Sequence, residues 1–253
     1  MEVLTTALAA GLGIGTLLVG AAIALVWDVP RRIVAAVMAF GAGIMLATLA
    51  LELVVEARDA GGVWPVVLGF AGGAVLYVGG DRLVQRLVAR HDARERASRN
   101  ITARRGGDEP GGGGAFAVGA LLDGIPEAVV IGLSVALSGS FPVAIVVAIG
   151  LSNIPEGLAG SVAMLRKGRS PRLILGLWTV ITGIAMAAAV LGVAALADAP
   201  VKVLAVVVSV AAGALLAMVA NAMIPEAFEE DHWATGLIAA AGFLTAFVMA
   251  ELT

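Results

Sequence analysis

The sequence has no cysteine, so disulfides and thiolate ligands are excluded from any mechanism it uses. It has two histidines, His91 and His232, and both stand in polar connections outside its apolar runs. Imidazole therefore has no place within those runs. Charge is thin as well: Asp, Glu, Lys and Arg make up 14% of 253 residues, whereas soluble domains carry about 25%. What fills the chain instead is apolar surface, 60% of the residues, with a mean hydropathy of +1.01. That balance excludes an ordinary soluble domain, offers nothing to a nucleic acid, and implies an all-α polytopic membrane protein. The net charge of -3 says little, because in a membrane protein the distribution of charge carries the information.

Runs long enough to cross about 30 Å of hydrocarbon fall near residues 5–27, 33–55, 63–88, 114–137, 141–165, 172–197, 201–225 and 233–251. They predict eight transmembrane helices in a single domain over residues 1–253. The first run lacks a positively charged leader and is too long for a signal-peptide core, so it reads as a retained span. Between the third and fourth helices lies the one long polar connection, 91–114, rich in arginine and glycine, which reads as a flexible cytoplasmic loop. Counting connections alternately, 14 of the 16 Lys and Arg fall on one side, and Arg58 and Lys202 alone on the other. Cytoplasmic loops are enriched in such residues, so both termini are expected outside, in a multi-pass protein of the plasma or inner membrane.

Polar residues inside the apolar runs are few and patterned. Leu121-Leu-Asp-Gly-Ile-Pro-Glu-Ala128 and Gly150-Leu-Ser-Asn-Ile-Pro-Glu-Gly157 each place a carboxylate directly after a proline. Asp123 and Glu127 stand four apart and Asn153 and Glu156 three apart, so each pair shares one helix face. Proline cannot donate to the carbonyl four residues back, so Pro126 releases the carbonyl of Leu122 and Pro155 that of Leu151. Each motif then offers carboxylate, side-chain oxygen and bare carbonyl together, a set suited to a hard divalent cation. The bland reading is a pair of kinked helices whose polar groups hydrogen-bond across an interface. A carboxylate at mid-membrane costs about 2.5–3.5 kcal/mol on insertion scales, which argues that several of them serve a task.

The chain also repeats itself. The stretch from Gly41 to Ala57 aligns without gaps to the stretch from Ala211 to Ala227, matching at 7 of 17 positions, including Glu56 with Glu226. Helices two and seven are five apart and hence antiparallel, as are helices four and five. This predicts inverted repeats, helices 1–3 and 6–8, around a central pair formed by helices 4 and 5. Glu52, Glu56, Asn221 and Glu226 stand at the ends of helices two and seven, either as pathway or secondary metal positions or as solvated helix-end groups.

These residues resemble the ZIP (Zrt/Irt-like protein) family of divalent metal transporters over the whole chain. The resemblance rests on eight helices with both ends outside, a long loop after helix three, and paired Pro-Glu motifs in helices four and five. Helix two, ending Glu52-Leu-Val-Val-Glu56-Ala57, is similar to that family's His-Leu-Leu-Pro-Glu-Ala, and helix seven, ending Asn221-Ala-Met-Ile-Pro-Glu226-Ala227, to its His-Glu-Leu-Leu-Pro-Glu-Ala. The resemblance implies transport of Zn, Fe, Mn, Co or Cd toward the cytoplasm, movement of helices one, four, five and six against a scaffold of the rest, and a homodimer. It implies a metal shell of Asp123, Glu127, Ser152, Asn153 and Glu156. Asp123 stands where the family has the histidine of His-Asn-x-Pro-Glu-Gly, and Ser152 or Asn153 where it has that of His-x-x-Pro-Glu-Gly. Both imidazoles are missing, which weakens the expected preference for zinc.

Two other classes compete. A cation/calcium exchanger also uses inverted repeats with Pro-Glu motifs, but usually has ten helices and a Gly-Thr/Asn-Ser-x-Pro-Glu pattern that neither motif gives. An intramembrane hydrolase could use paired carboxylates as acid and base. No His-Glu-x-x-His or Gly-x-Gly-Asp occurs, and Asp123 has no evident second catalytic aspartate, so a non-enzyme is expected.

Overall fold

The computed structural model describes residues 2–102, 113–138, 141–196, 198–229 and 233–252, of which 2, 88–89, 91–102, 113–120, 122–123 and 137–138 are described by backbone alone. Among the described residues the chain is all-helical, with turns and no strand. The helices are α1 (Val3–Val26), α2 (Arg31–Gly61), α3 (Val63–Thr102), α4 (Gly113–Ser138), α5 (Val143–Arg166), α6 (Pro171–Leu196), α7 (Val201–Phe228) and α8 (Thr235–Leu252). Seven of them contain a stretch long and apolar enough to cross a membrane. In α4 the described apolar part is Gly124–Ala136, although its 26 residues span about 39 Å at 1.5 Å per residue. The chain is a membrane protein.

Proline and glycine set the helix boundaries. Pro30, Pro142 and Pro200 stand at the N-terminal caps of α2, α5 and α7, where a missing N–H costs nothing and a fixed φ favours the first turn. Gly62 at φ 85° makes the one-residue joint between α2 and α3, and Gly168 at φ 74° follows the end of α5.

After helix three the backbone differs from the expected loop. Helical backbone continues through 91–102 to Thr102, a stretch assigned above to the flexible loop. From Asp81 to Arg105 there is no glycine or proline, and the run is rich in alanine, arginine and leucine, all good helix formers. Polarity ends a membrane span without ending a helix. Of the rest of that expected loop, 103–112 lie outside the described residues and 113–114 already belong to α4.

Contacts put α2, α5 and α7 inside and α3, α6 and α8 outside: 61–67% of the apolar window of each inner helix is buried, against 17–28% for each outer one. The outer helices approach through glycine. A Cβ on Gly73 or Gly213 would overlap the carbonyl of Val210 or Phe70, where α3 lies on α7. A Cβ on Gly43 or Gly242 would overlap the carbonyl of Ala239 or Phe40, where α2 lies on α8. Without a hydrophobic drive between helices in lipid, such backbone-to-backbone packing is what holds them.

Two helices change their winding. α2 contains a π turn at Leu49–Leu53 and α7 another at Val219–Met223. Leu49 and Val219, which open the two turns, are equivalent in the same gapless alignment that pairs Glu56 with Glu226. The turn of α2 packs on α7 and the turn of α7 packs on α2.

Candidate metal centre

The two proline motifs sit inside α4 and α5, which run on through Pro126 and Pro155 as continuous helix. Among the residues they carry, Glu127 and Asn153 are each 1% exposed although both are polar. The structure joins them directly: Asn153 Nδ2 donates to Glu127 Oε2 at 2.8 Å. A bond from an amide to a carboxylate is of the stronger kind, worth about 1.5–3 kcal/mol net. It also orients both groups, since the second oxygen of the carboxylate and the carbonyl of the amide take no part in it.

Glu156 lies three residues beyond Asn153 on the same face of α5 and is half-buried. Asp123 lies on α4 one turn before Glu127, and its side chain is outside the described residues. Ser152 is buried, and its hydroxyl donates to the Ile149 carbonyl at 2.9 Å within its own helix. That bond gives the side chain a local role, and only its lone pairs remain for any other partner. Among the described residues no group of three or more His, Asp or Glu comes together as a metal cluster. Beside the carboxylate and the amide, the Leu122 and Leu151 carbonyls, which the two prolines leave without a helical donor, are further oxygens on the same helices.

The packing around α5 adds residues the sequence did not single out. A Cβ on Gly157 would overlap the Leu17 carbonyl, and one on Gly20 the Ile154 carbonyl, so α1 lies with its backbone against the Asn153–Glu156 turn. Gly41 of α2 closes the other side, where a Cβ would come within 2.8 Å of the Pro155 ring. One cue existed in the spacing of Gly13 and Gly20, seven apart on one stripe of α1, but its partner helix is not written in that spacing. Trp178 of α6 donates from Nε1 to Ser161 Oγ at 2.8 Å and tethers the next stretch of α5.

The remaining candidates stand on the two π-turn helices. Glu52 lies within the turn of α2, half-buried, with Oε2 enclosed and without a hydrogen-bond partner, and Glu56 lies just beyond it. Asn221 lies within the turn of α7 and is exposed, whereas Glu226 follows it and is half-buried. The hydrogen bond joining α4 to α5 involves none of these four.

No protein-family model matches the chain. Over 102 residues, 40% of its length, the chain is 36% identical to a protein of Arabidopsis thaliana named "putative zinc transporter", and the match covers 16% of that protein.

Proposed function

We propose that this chain moves divalent metal cations across a membrane through a site shared by α4 and α5, as a ZIP-type transporter. The observation that carries the reading is the buried Glu127–Asn153 bond between two helices that each carry an internal proline. A carboxylate buried in a membrane-spanning helix is costly on insertion scales, which argues that it serves a task, and its charge suits a passing cation whose shell adjacent backbone carbonyls complete. Similarity over part of the chain to a protein named as a zinc transporter supports the same reading.

In this proposal Glu127 and Glu156 cradle the ion, Asn153 and Asp123 complete its shell, and Ser152 contributes at most a lone pair. Glu52, Glu56, Asn221 and Glu226 serve as pathway positions. The equivalent π turns of α2 and α7 and their reciprocal packing support an inverted repeat of α1–α3 with α6–α8. The arginine-rich ends face the cytoplasm, both termini lie outside, the chain works as a homodimer, and flux runs inward. Zn, Fe, Mn, Co and Cd are candidate cargo, written as substrate and not as resident cofactors, and no enzymatic step is assigned.

The test is flux of Zn²⁺ and Mn²⁺ into liposomes containing the purified protein, alongside Glu127→Gln. The substitution keeps an oxygen that can accept from Asn153 while removing the charge. Wild-type uptake with loss in the variant supports the reading, and equal uptake by both removes Glu127 from the route.

A further inference from the structure

A cavity of about 270 Å³ opens between α3, α4 and α7, with Gly73, Leu76, Ile125, Pro126, Val129 and Val210 in its lining. It is apolar and it faces outward: Leu76 is 68% exposed and Ile125 is 45% exposed. Its floor is the close approach of α3 to α7 at Gly73, where a side chain would meet the Val210 carbonyl. In water such a gap would stay dry. In a bilayer the medium at that depth is hydrocarbon, and a lipid tail can fill it.

One strip of α3 leads from the cavity toward the arginine-rich end of the bundle. Leu76, Leu83 and Leu87 fall on one helical stripe and are all more than half exposed. Arg90, also exposed, stands about one turn beyond Leu87 on the same side. The rise from Leu76 to Arg90 is about 21 Å at 1.5 Å per residue. Half of a bilayer including its headgroups is about 20–22 Å. Leu76 stands near the middle of the apolar span Val63–Leu87, so a groove near mid-span is joined by a stripe of exposed leucines, with Gly79 between them, to a cation at the level expected for the phosphates.

We propose that this surface holds one anionic phospholipid, drawn from the leaflet on the arginine-rich side, with a tail in the cavity and its phosphate at Arg90. Guanidinium suits phosphate through paired N–H donors, and the apolar walls suit the tail. The site bears on α4. Ile125 and Val129 lie about 160° around the helix from Glu127 at 100° per residue, so a tail pressed on one face braces the proline turn whose other face carries the buried carboxylate. The lipid site itself rests on the membrane embedding of the chain and stands whether or not Glu127 binds metal.

The test uses the full chain in nanodiscs doped with phosphatidylglycerol bearing a photoreactive diazirine in one tail, or with phosphatidylcholine bearing the same tail. Adducts are mapped by mass spectrometry. The expected result is labelling near Leu76 and Ile125–Val129, several-fold stronger from phosphatidylglycerol. Ile125→Trp, which fills the cavity, should suppress those adducts, and Leu76→Trp fills it from α3 should the first variant fail to fold. Arg90→Glu should abolish the headgroup preference while leaving tail labelling. Unchanged labelling in a folded cavity-filled variant, equal labelling by both lipids in the wild type, or crosslinks from this surface to a second copy of the chain would each overturn the proposal.

Discussion

α4 and α5 each carry a proline within continuous helix and meet through side chains almost wholly enclosed, whereas α2 and α7 change their winding at π turns and carry carboxylates only half-buried. Both devices disturb the regular ladder of backbone bonds. Proline does so by deleting a donor, and a π turn by lengthening the loop that each bond closes. The difference lies in what stands beside the disturbance. At the proline pair an amide and a carboxylate from different helices fix one another at 2.8 Å, so the geometry is set before any ligand arrives. At the π pair the turns pack on each other's helices, and the enclosed Glu52 Oε2 has no hydrogen-bond partner. The first region suits a binding site, and the second suits the flanks of a route or a place where helices flex.

The sharpest way to break this comparison is to remove one carboxylate from each region. Glu127→Ala should lower metal flux by about 100-fold, the order expected when roughly 3 kcal/mol of ligand interaction is lost. Glu226→Ala should lower it several-fold at most, because that group is half-buried and outside the fixed pair. Initial uptake rates in liposomes at matched protein density decide the matter, and equal losses would erase the distinction between the regions.

A second contrast concerns glycine. Gly157→Ala drives a methyl group into the Leu17 carbonyl and should cost about 1–3 kcal/mol as overpacking. Gly176→Ala meets nothing within 4 Å and should be neutral or stabilising by up to about 1 kcal/mol from helix propensity. Thermal unfolding in detergent measures both. Equal stability of the two variants would mean that α1 does not lie on α5 as described.

Selectivity offers a smaller effect. Asp123→His introduces an imidazole one turn from Glu127, and nitrogen ligands favour zinc over manganese. Competition between Zn²⁺ and Mn²⁺ should shift toward zinc by about tenfold, equivalent to about 1.4 kcal/mol. The assay is run at one fixed pH, since the imidazole must be neutral to bind. An unchanged ratio would remove position 123 from the shell.

The parts of this picture that the sequence makes legible are local ones. Hydropathy marks the spans because about 20 apolar residues are needed to cross hydrocarbon, and Pro126 and Pro155 mark by chemistry where a backbone bond is missing. The union of Glu127 with Asn153 follows from face sharing once α4 and α5 are taken as neighbours. Other parts are written in no short pattern. Leu49-Ala-Leu-Glu-Leu53 reads as plain helix, and its π turn depends on what α2 packs against. The stretch 91–102 reads as loop by polarity, but its residues favour helix and nothing in them stops α3. The seating of α1 on the Asn153–Glu156 turn depends on glycines over a hundred residues away in sequence from the carbonyls they meet.

Ser152 is the residue on which sequence and structure differ most within the site, and it gives the smallest effect. From the motif it belongs beside Asn153 as a ligand. In the fold its hydroxyl donates to the Ile149 carbonyl, so its proton is committed to its own helix and its side chain is held in the rotamer that makes that bond. Deleting the hydroxyl removes a bond to a carbonyl that also lies in the regular ladder, so the carbonyl is not left bare. Ser152→Ala should therefore change flux by less than about twofold, within about 0.4 kcal/mol. Asn153→Ala, one residue on, strips the Glu127 carboxylate of its amide donor and should cost about 1.5–3 kcal/mol, or roughly 10–100-fold if the loss falls wholly on the transporting state. The measurement is the ratio of the two variants' uptake rates with Mn²⁺, a hard ion most dependent on oxygen ligands. A Ser152→Ala loss as large as that of Asn153→Ala would show that the hydroxyl leaves Ile149 to serve the ion, and the site would then extend to both residues of the pair.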